Sequence, residues 1–220
     1  AEAAKLDSIF FADHVVLGED LAHSARGELE PLTLLGALAA LTDRIGLIAT
    51  ASTTYSEPYN LARQFATLDH LSGGRVGWNI VTSWAPGAAA NFGQDRQSGI
   101  DQRYARANEF VEAVSKLWDS WAPDAIRDDR ASGIYAEAGR IGRAEHRGAF
   151  FKVAGALNVP RSPQGRPVFV QAGASTDGRA FAARYAEAIF TAHLQKESAI
   201  AFYDDIKTQA RALGRRADQI

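Results

Sequence analysis

Short, dense apolar runs alternate along the chain with longer stretches whose apolar residues recur at helical spacing. Such runs, bounded by Gly, Pro or polar residues, predict strands buried within a sheet. They cover residues 6–12, 45–51, 75–82, 167–172 and 188–192, and the first is predicted to be buried on both faces. The helical spacing, with Pro near helix starts and Gly after helix ends, predicts helices between them. These helices cover residues 32–41, 58–71, 104–121, 177–187 and 196–213.

Alternating strands and helices are typical of βαβ units, so we predict an α/β fold with a parallel sheet. An open doubly wound sheet and a closed (β/α)8 barrel both fit this order. A barrel needs eight strands and about 250 residues, so the five strands predicted here would form an incomplete one. Residues 122–166 are richer in Gly, Arg and Asp and interrupt the alternation. We interpret them as an excursion from one domain that spans residues 1–220.

Polar residues follow most of the predicted strands. In both candidate folds, ligands bind outside the carboxyl ends of parallel strands. Most of these residues are hydroxyls, amides and glycines rather than acid–base pairs, which favours binding of a polar cofactor over hydrolysis. The positions are Asp13 with His14, residues 50–54, Asn79 with Thr82 and Ser83, residues 173–177, and Thr191 with His193.

The turn at residues 171–178 (QAGASTDG) joins a strand directly to a helix. Gly173 allows a ligand to approach the backbone, and Ser175 or Thr176 can cap the helix. The free N–H groups and the helix dipole favour an anion such as phosphate. The turn lacks the P-loop ending and the three spaced glycines of dinucleotide sites, so an ordinary capped turn remains an alternative.

Composition narrows the class of protein. With 220 residues, of which 46% are hydrophobic, the chain has the size and character of a globular domain. It has no cysteine, which excludes thiolate metal sites and fits a reducing compartment. The net charge of −2 and the short apolar stretches give no reason to expect nucleic-acid or membrane binding. We therefore expect a cytoplasmic protein.

Several individual residues could have more than one role. Asp13 and His14 could form an acid–base pair, a metal half-site or a cofactor contact. No HxH or HExxH spacing supports a metal site. We expect Asp13 to act as a hydrogen-bond acceptor. Trp118 lies on an apolar helix stripe and is predicted to be core. Trp84 follows a strand end in a loop and could instead line a pocket.

Several segments taken together, in the same order along nearly the whole chain, resemble the flavin-dependent monooxygenases of the bacterial luciferase-like superfamily. The similarity is greatest to the group that acts on nitrilotriacetate, dibenzothiophene sulfone and long-chain alkanes. The segments are residues 10–14 (FFADH), 48–55 (IATASTTY), 58–63 (PYNLAR), 68–83 (LDHLSGGRVGWNIVTS), 91–93 (NFG), 103–104 (RY), 117–121 (LWDSW), 163–167 (PQGRP) and 171–175 (QAGAS).

The resemblance implies a (β/α)8 TIM barrel, of which this chain would contain about strands 2 to 6, as a piece of a longer protein. The excursion at 122–166 would be the insertion that family members carry before the fifth strand. It also implies an enzyme that binds reduced FMN, supplied by a separate NAD(P)H-dependent flavin reductase, and uses O2 to oxidise a small organic substrate. A homo-oligomer is expected.

The resemblance further implies flavin contacts from Asp13, Thr50, Asn79, Tyr104 and Ser175, next to Gly173 in the turn described above. Asp13, Thr50 and Asn79 would face the ring and ribityl groups, and Tyr104 and Ser175 the phosphate. Family members commonly have a histidine where this chain has Ile100, so no catalytic residue is assigned. The resemblance also predicts a cis or strongly distorted peptide, or disorder, between Thr50 and Thr54.

Two other functions fit parts of the sequence. A barrel hydro-lyase or aldolase acting on phosphate-bearing substrates would need a Schiff-base lysine or a carboxylate pair at strand ends, and no lysine ends a predicted strand. A non-catalytic flavin-binding or vestigial barrel fragment would retain the binding residues without turnover.

Overall fold

The structure is a computed structural model in which residues 1–18, 23 and 28–220 are described. The strands are β1 Ser8–Phe11, β2 Gly46–Ser52, β3 Val76–Val81, β4 Ile126–Asp129, β5 Ile134–Ala136, β6 His146–Arg147, β7 Lys152–Val153, β8 Val168–Gln171 and β9 Ala188–Ile189. The α-helices are α1 Pro31–Ala39, α2 Pro58–Ser72, α3 Ile100–Trp118, α4 Thr176–Tyr185 and α5 Lys196–Ala212. Within these described ranges, no helix is long and apolar enough to cross a membrane.

The main sheet is parallel and has the strand order β1-β2-β3-β8-β9. Its two edge strands approach each other at their carboxyl ends. Phe10 of β1 stacks on Phe190, which follows β9, with 5.6 Å between the ring centroids. Because these strands lie at opposite edges of the sheet, the contact shows that the sheet curls into part of a barrel wall.

The predicted order of five parallel strands and five helices is confirmed. Pro and Gly mark the ends of α2 as predicted. The helix begins at Pro58 and ends before Gly73, whose φ of 65° is left-handed. The prediction that β1 is buried on both faces is wrong. Ser8 is exposed and the other three residues are only partly buried, because β1 has a single neighbour in the sheet. Helix α3 begins at Ile100 rather than Tyr104.

The core lies between the sheet and α2 and α3, and Trp78 of β3 is at its centre. Its fully buried ring meets Phe65, Phe110 and Phe169 at centroid distances of 5.6, 5.9 and 5.8 Å. Its Nε1 donates to the Ala51 carbonyl at 3.1 Å, so the indole carries no unsatisfied donor into the core. Trp118 is also buried, which confirms its prediction as a core residue.

The excursion contains the antiparallel pairs β4–β5 and β6–β7. It is tied to α3 by a cluster that we call the Glu109 clamp: Glu109, Lys116, His146 and residues 148–151. The Glu109 carboxylate accepts backbone N–H bonds from Ala149, Phe150 and Phe151 and contacts His146 Nε2 at 3.2 Å. A Cβ on Gly148 would lie 2.0 Å from Glu109 Oε1, so a larger residue there would displace the carboxylate from this position.

Candidate cofactor-binding site

A cavity of about 450 Å³ opens at the carboxyl ends of the main-sheet strands. We call it the rim cavity. Residues from β1, β2, β3 and β8, from the loops after β1, β3 and β8, from the first turn of α3 and Phe190 after β9 form its wall. The six residues predicted to bind a cofactor all line it: Asp13, Thr50, Asn79, Tyr104, Gly173 and Ser175. Thr191 and His193 are not in its wall; they hydrogen-bond to each other, and His193 also contacts Ser198.

Thr50 and Asn79 form a buried polar pair in the floor of the cavity. Thr50 and Asn79 are paired in the β2–β3 register, so both side chains project from the same face of the sheet. Asn79 Nδ2 donates to Thr50 Oγ1 at 2.9 Å. Asn79 Oδ1 is also buried but has no hydrogen-bond partner. An unpaired acceptor in a buried position costs free energy, so a ligand N–H or O–H would be stabilised there.

The turn after β8 brings α3 and α4 together at one end of the cavity. Ser175 caps α4, its Oγ accepting from Gly178 N at 3.1 Å, which leaves the hydroxyl hydrogen free to donate. A Cβ on Gly178 would lie 3.0 Å from Tyr104 Oη, and one on Gly173 would lie 2.9 Å from the Gly178 Cα. The two glycines therefore allow a close backbone approach beside two hydroxyl groups.

Asp13 follows β1 in the cavity wall and lies among other acidic groups. Burial raises the pKa of Asp13 above its ordinary value, and the charges of Glu30 and Glu28 raise it further, while His14 opposes them. Glu30 is fixed in place because its carboxylate caps α1, accepting from the backbone N–H groups of residues 32 and 33. His14 Nδ1 contacts Glu28 at 3.1 Å.

The sequence profile of one family, described as luciferase-like monooxygenase, matches residues 1–220. The chain belongs to this family.

Individual relatives of this luciferase-like chain support the assignment. It is 50% identical over 220 residues to N-acetyl-S-(2-succino)cysteine monooxygenase of Bacillus subtilis (strain 168), covering 100% of this chain and 50% of the relative. The crystal structure of long-chain alkane monooxygenase has a TM-score of 0.94 at 38% identity, covering 100% of this chain and 53% of that one. A riboflavin lyase solved with modified FMN and riboflavin has a TM-score of 0.85 at 42% identity, covering 88% and 43%.

The resemblance drawn from the sequence motifs is therefore confirmed, as is the luciferase-like α/β fold with its curled parallel sheet. The chain spans about half the length of the curated relatives it matches.

Arg103 is a cavity residue that the site prediction missed. The helix was predicted to start at Tyr104, which left Arg103 outside it, whereas both residues lie in the first turns of α3 and line the cavity. Arg103 Nη1 donates to the Ser98 carbonyl at 2.6 Å. Its Nε is buried without a partner. The Arg-Tyr pair among the family motifs was the signal that could have pointed to this residue.

The loop after β3 supplies the apolar side of the cavity in this luciferase-like fold. Trp84 lines the cavity while most of its ring is exposed, so the pocket-lining alternative holds for this tryptophan. Ile100 lines the same side. Ser83 has a left-handed φ of 47° and is fixed by two bonds: its Oγ donates to Ser52 Oγ at 2.7 Å, and its carbonyl accepts from Gln97 Nε2 at 2.5 Å.

The predicted cis or distorted peptide between Thr50 and Thr54 is wrong. The described residues contain no cis peptide, and none of residues 50–54 has a positive φ. The segment is instead held in regular geometry by hydrogen bonds to the neighbouring strand. Thr53 N and Oγ1 both donate to the Val81 carbonyl, and Thr54 Oγ1 donates to the Thr82 carbonyl at 2.6 Å.

Other chemistries find less support in the wall of the cavity. Of the residues that the structure describes, no lysine lines the cavity. In the same described part of the chain, no three His, Asp or Glu side chains are grouped so as to hold a metal ion.

Proposed function

We propose that the protein is an FMN-dependent two-component monooxygenase that uses reduced flavin and O2 to oxidise a small organic substrate. One observation carries the proposal: a single cavity combines an unpartnered buried acceptor, Asn79 Oδ1, with a glycine-lined cradle at a helix N-terminus. The Asn79 acceptor matches a polar ring or ribityl chain, and the glycine-lined cradle matches a terminal phosphate. The relatives named as monooxygenases, and the riboflavin lyase solved with modified FMN, support the same conclusion.

The phosphate would lie in the cradle formed by the turn after β8. There Ser175 and Tyr104 can donate hydroxyl hydrogens, and Gly173 leaves room for the phosphate beside the backbone. The N-terminus of α4 adds its dipole and free N–H groups. Charge-assisted hydrogen bonds of this kind are stronger than neutral ones, so this end should contribute much of the affinity.

The ring and ribityl groups would extend from the cradle towards Asn79, Thr50 and Asp13. Asn79 Oδ1 can accept from an N–H or O–H of the ligand, which relieves its unpaired state. Thr50 orients the amide through the 2.9 Å bond to Asn79 Nδ2. Asp13, whose pKa is raised by burial and then by neighbouring acidic groups, can accept or donate at the far end.

We assign the five main-sheet strands to strands 2 to 6 of an eight-stranded barrel, and residues 122–166 to an insertion before the fifth strand. The whole protein would then receive reduced FMN from a separate NAD(P)H-dependent flavin reductase and would form a homo-oligomer. A relative named as component A of nitrilotriacetate monooxygenase is consistent with a two-component system.

When bound, reduced flavin supplies the electrons that activate O2. The chain's own residues bind and orient the ring, and Trp84 and Ile100 supply an apolar surface in the same cavity. Because Ile100 carries no ionisable group, it cannot hold or move a proton, and we assign no catalytic residue at this position.

The test is an oxygenation assay with the full-length protein, FMN, NADH, a flavin reductase and ¹⁸O₂. A panel of apolar, sulfur-containing and aminocarboxylate compounds is supplied, and products are analysed by mass spectrometry. We expect one ¹⁸O atom in the product of at least one compound. If the protein binds FMN but labels none of these compounds, the result favours the non-catalytic flavin-binding alternative.

A further inference from the structure

Arg103 is the one lysine or arginine among the described residues that line the rim cavity. The flavin contacts proposed above use hydroxyls, an amide, a carboxyl and backbone N–H groups, and none of them needs this cation. Its neighbours in the wall include Val16, Trp84 and Ile100. Arg103 is only partly exposed, so its attraction for an anion is stronger than it would be in free solution.

The guanidinium is held in position but retains free donors. Nη1 is fixed by the 2.6 Å bond to the Ser98 carbonyl, in the segment just before α3. Nε is buried and has no partner. A buried donor attached to a charged group and left unpaired is costly. The residue therefore has both the fixed geometry and the unsatisfied donor expected of a ligand-binding arginine.

Arg103 serves a different side of the cavity from its neighbour Tyr104. Tyr104 Oη lies against the turn after β8, 3.0 Å from where a Cβ on Gly178 would lie. Adjacent residues of a helix point about 100° apart. The side chains of Arg103 and Tyr104 therefore leave α3 in different directions.

We propose that Arg103 binds a carboxylate or similar oxyanion of the substrate, while the cradle at Ser175 binds the flavin phosphate. The substrate class is therefore an organic anion whose apolar part packs against Trp84 and Ile100. This inference rests on the proposed function, since it assumes that flavin fills the cradle.

The test uses benzoate and its neutral analogue benzamide as probes on the full-length protein saturated with FMN, with binding followed by calorimetry. In the wild type we expect benzoate to bind about 10-fold or more tightly than benzamide. Arg103→Gln should abolish that preference and leave FMN affinity unchanged. Arg63→Gln, which removes an exposed arginine of α2 outside the cavity wall, should keep the preference.

The wild-type comparison needs no variant, so a folding defect in Arg103→Gln cannot hide the answer. Equal binding of benzoate and benzamide by the wild type contradicts the proposal. So does a loss of FMN affinity in Arg103→Gln with the benzoate preference retained, because the cation would then serve the flavin. Failure of the wild type to bind FMN at all would instead contradict the proposed function.

Discussion

The rim cavity and the Glu109 clamp both bury polar side chains, yet they differ in how those side chains are satisfied. In the clamp, the Glu109 carboxylate accepts three backbone N–H bonds and contacts His146, whose other ring nitrogen lies 3.4 Å from Lys116 Nζ. In the cavity, Asn79 Oδ1 and Arg103 Nε have no partner. Satisfied buried groups fix the chain, whereas the unsatisfied groups in the cavity wall are placed where a ligand could pair with them.

The largest effect should come from breaking the clamp. Glu109→Ala removes the acceptor of three backbone N–H groups and leaves His146 buried, so we expect the free energy of unfolding to fall by about 4 kcal/mol. Chemical denaturation measures it. Glu112→Ala is the matched control, because the exposed pair of Glu112 with Arg184 contributes less than about 1 kcal/mol. Equal losses in the two variants would contradict the structural role of the clamp.

In the floor of the cavity, we expect substitutions to change stability little and to weaken ligand binding strongly. The double variant Thr50→Val with Asn79→Leu replaces both polar partners by apolar groups of similar shape, so the unfolding free energy should change by less than about 1 kcal/mol. FMN binding should weaken by about 3 kcal/mol, since both contacts to the ring or ribityl chain are lost. A variant that unfolds easily but binds FMN normally would show that this pair is structural, like the clamp.

A smaller effect is expected in the cradle. Ser175→Ala removes one donor to a charged phosphate and should weaken FMN binding by about 1–3 kcal/mol. Riboflavin, which lacks the phosphate, serves as the control ligand, and its affinity should not change. Loss of the cap on α4 should also lower stability by about 1 kcal/mol. An unchanged FMN dissociation constant would mean that Ser175 is only a helix cap.

The smallest effect is confined to acid pH and concerns the clamp. Burial raises the pKa of Glu109, but hydrogen bonds from Phe151, His146, Phe150 and Ala149 outweigh it and hold the pKa below its ordinary value. Because the pKa of Glu109 is lower in the folded state than in the unfolded state, the ionised carboxylate stabilises the fold at pH values above its unfolded-state pKa of about 4.3. This stabilisation is lost as the pH falls through the folded-state pKa. The stability difference between wild type and Glu109→Gln should therefore shrink below about pH 4.3, as measured by denaturation. A constant difference would contradict this.

Much of the fold could be predicted because its signals are local. Pro58 and Gly73 mark the ends of α2, and apolar runs mark the strands, so the parallel sheet and the strand-end residues Thr50 and Asn79 follow from the chain itself. Sequence could not predict the Glu109 clamp, whose partners lie about 40 residues away. The exposure of β1 depends on its place at the sheet edge, which strand patterns do not reveal.

For the cavity residues, too, only features with a local sequence signal could be predicted. The turn at Ser175 was predictable because its capping signal is local. Arg103 was missed because its importance depends on which side of α3 faces the cavity, and on a buried Nε that no sequence pattern marks. The expected distortion after β2 was wrong because the hydrogen bonds of Thr53 and Thr54 to the β3 strand and its following residue keep that segment regular.

The phosphate cradle implies that the rim cavity holds a flavin by its phosphate. Anaerobic equilibrium binding of reduced FMN, reduced riboflavin and reduced FAD to the full-length protein measures this. We predict that reduced FMN binds about 10-fold or more tightly than reduced riboflavin, since only FMN places a terminal phosphate between Ser175 and Tyr104. Reduced FAD should also bind more weakly than reduced FMN. Equal affinity for reduced FMN and reduced riboflavin would contradict the phosphate cradle and the account built on it.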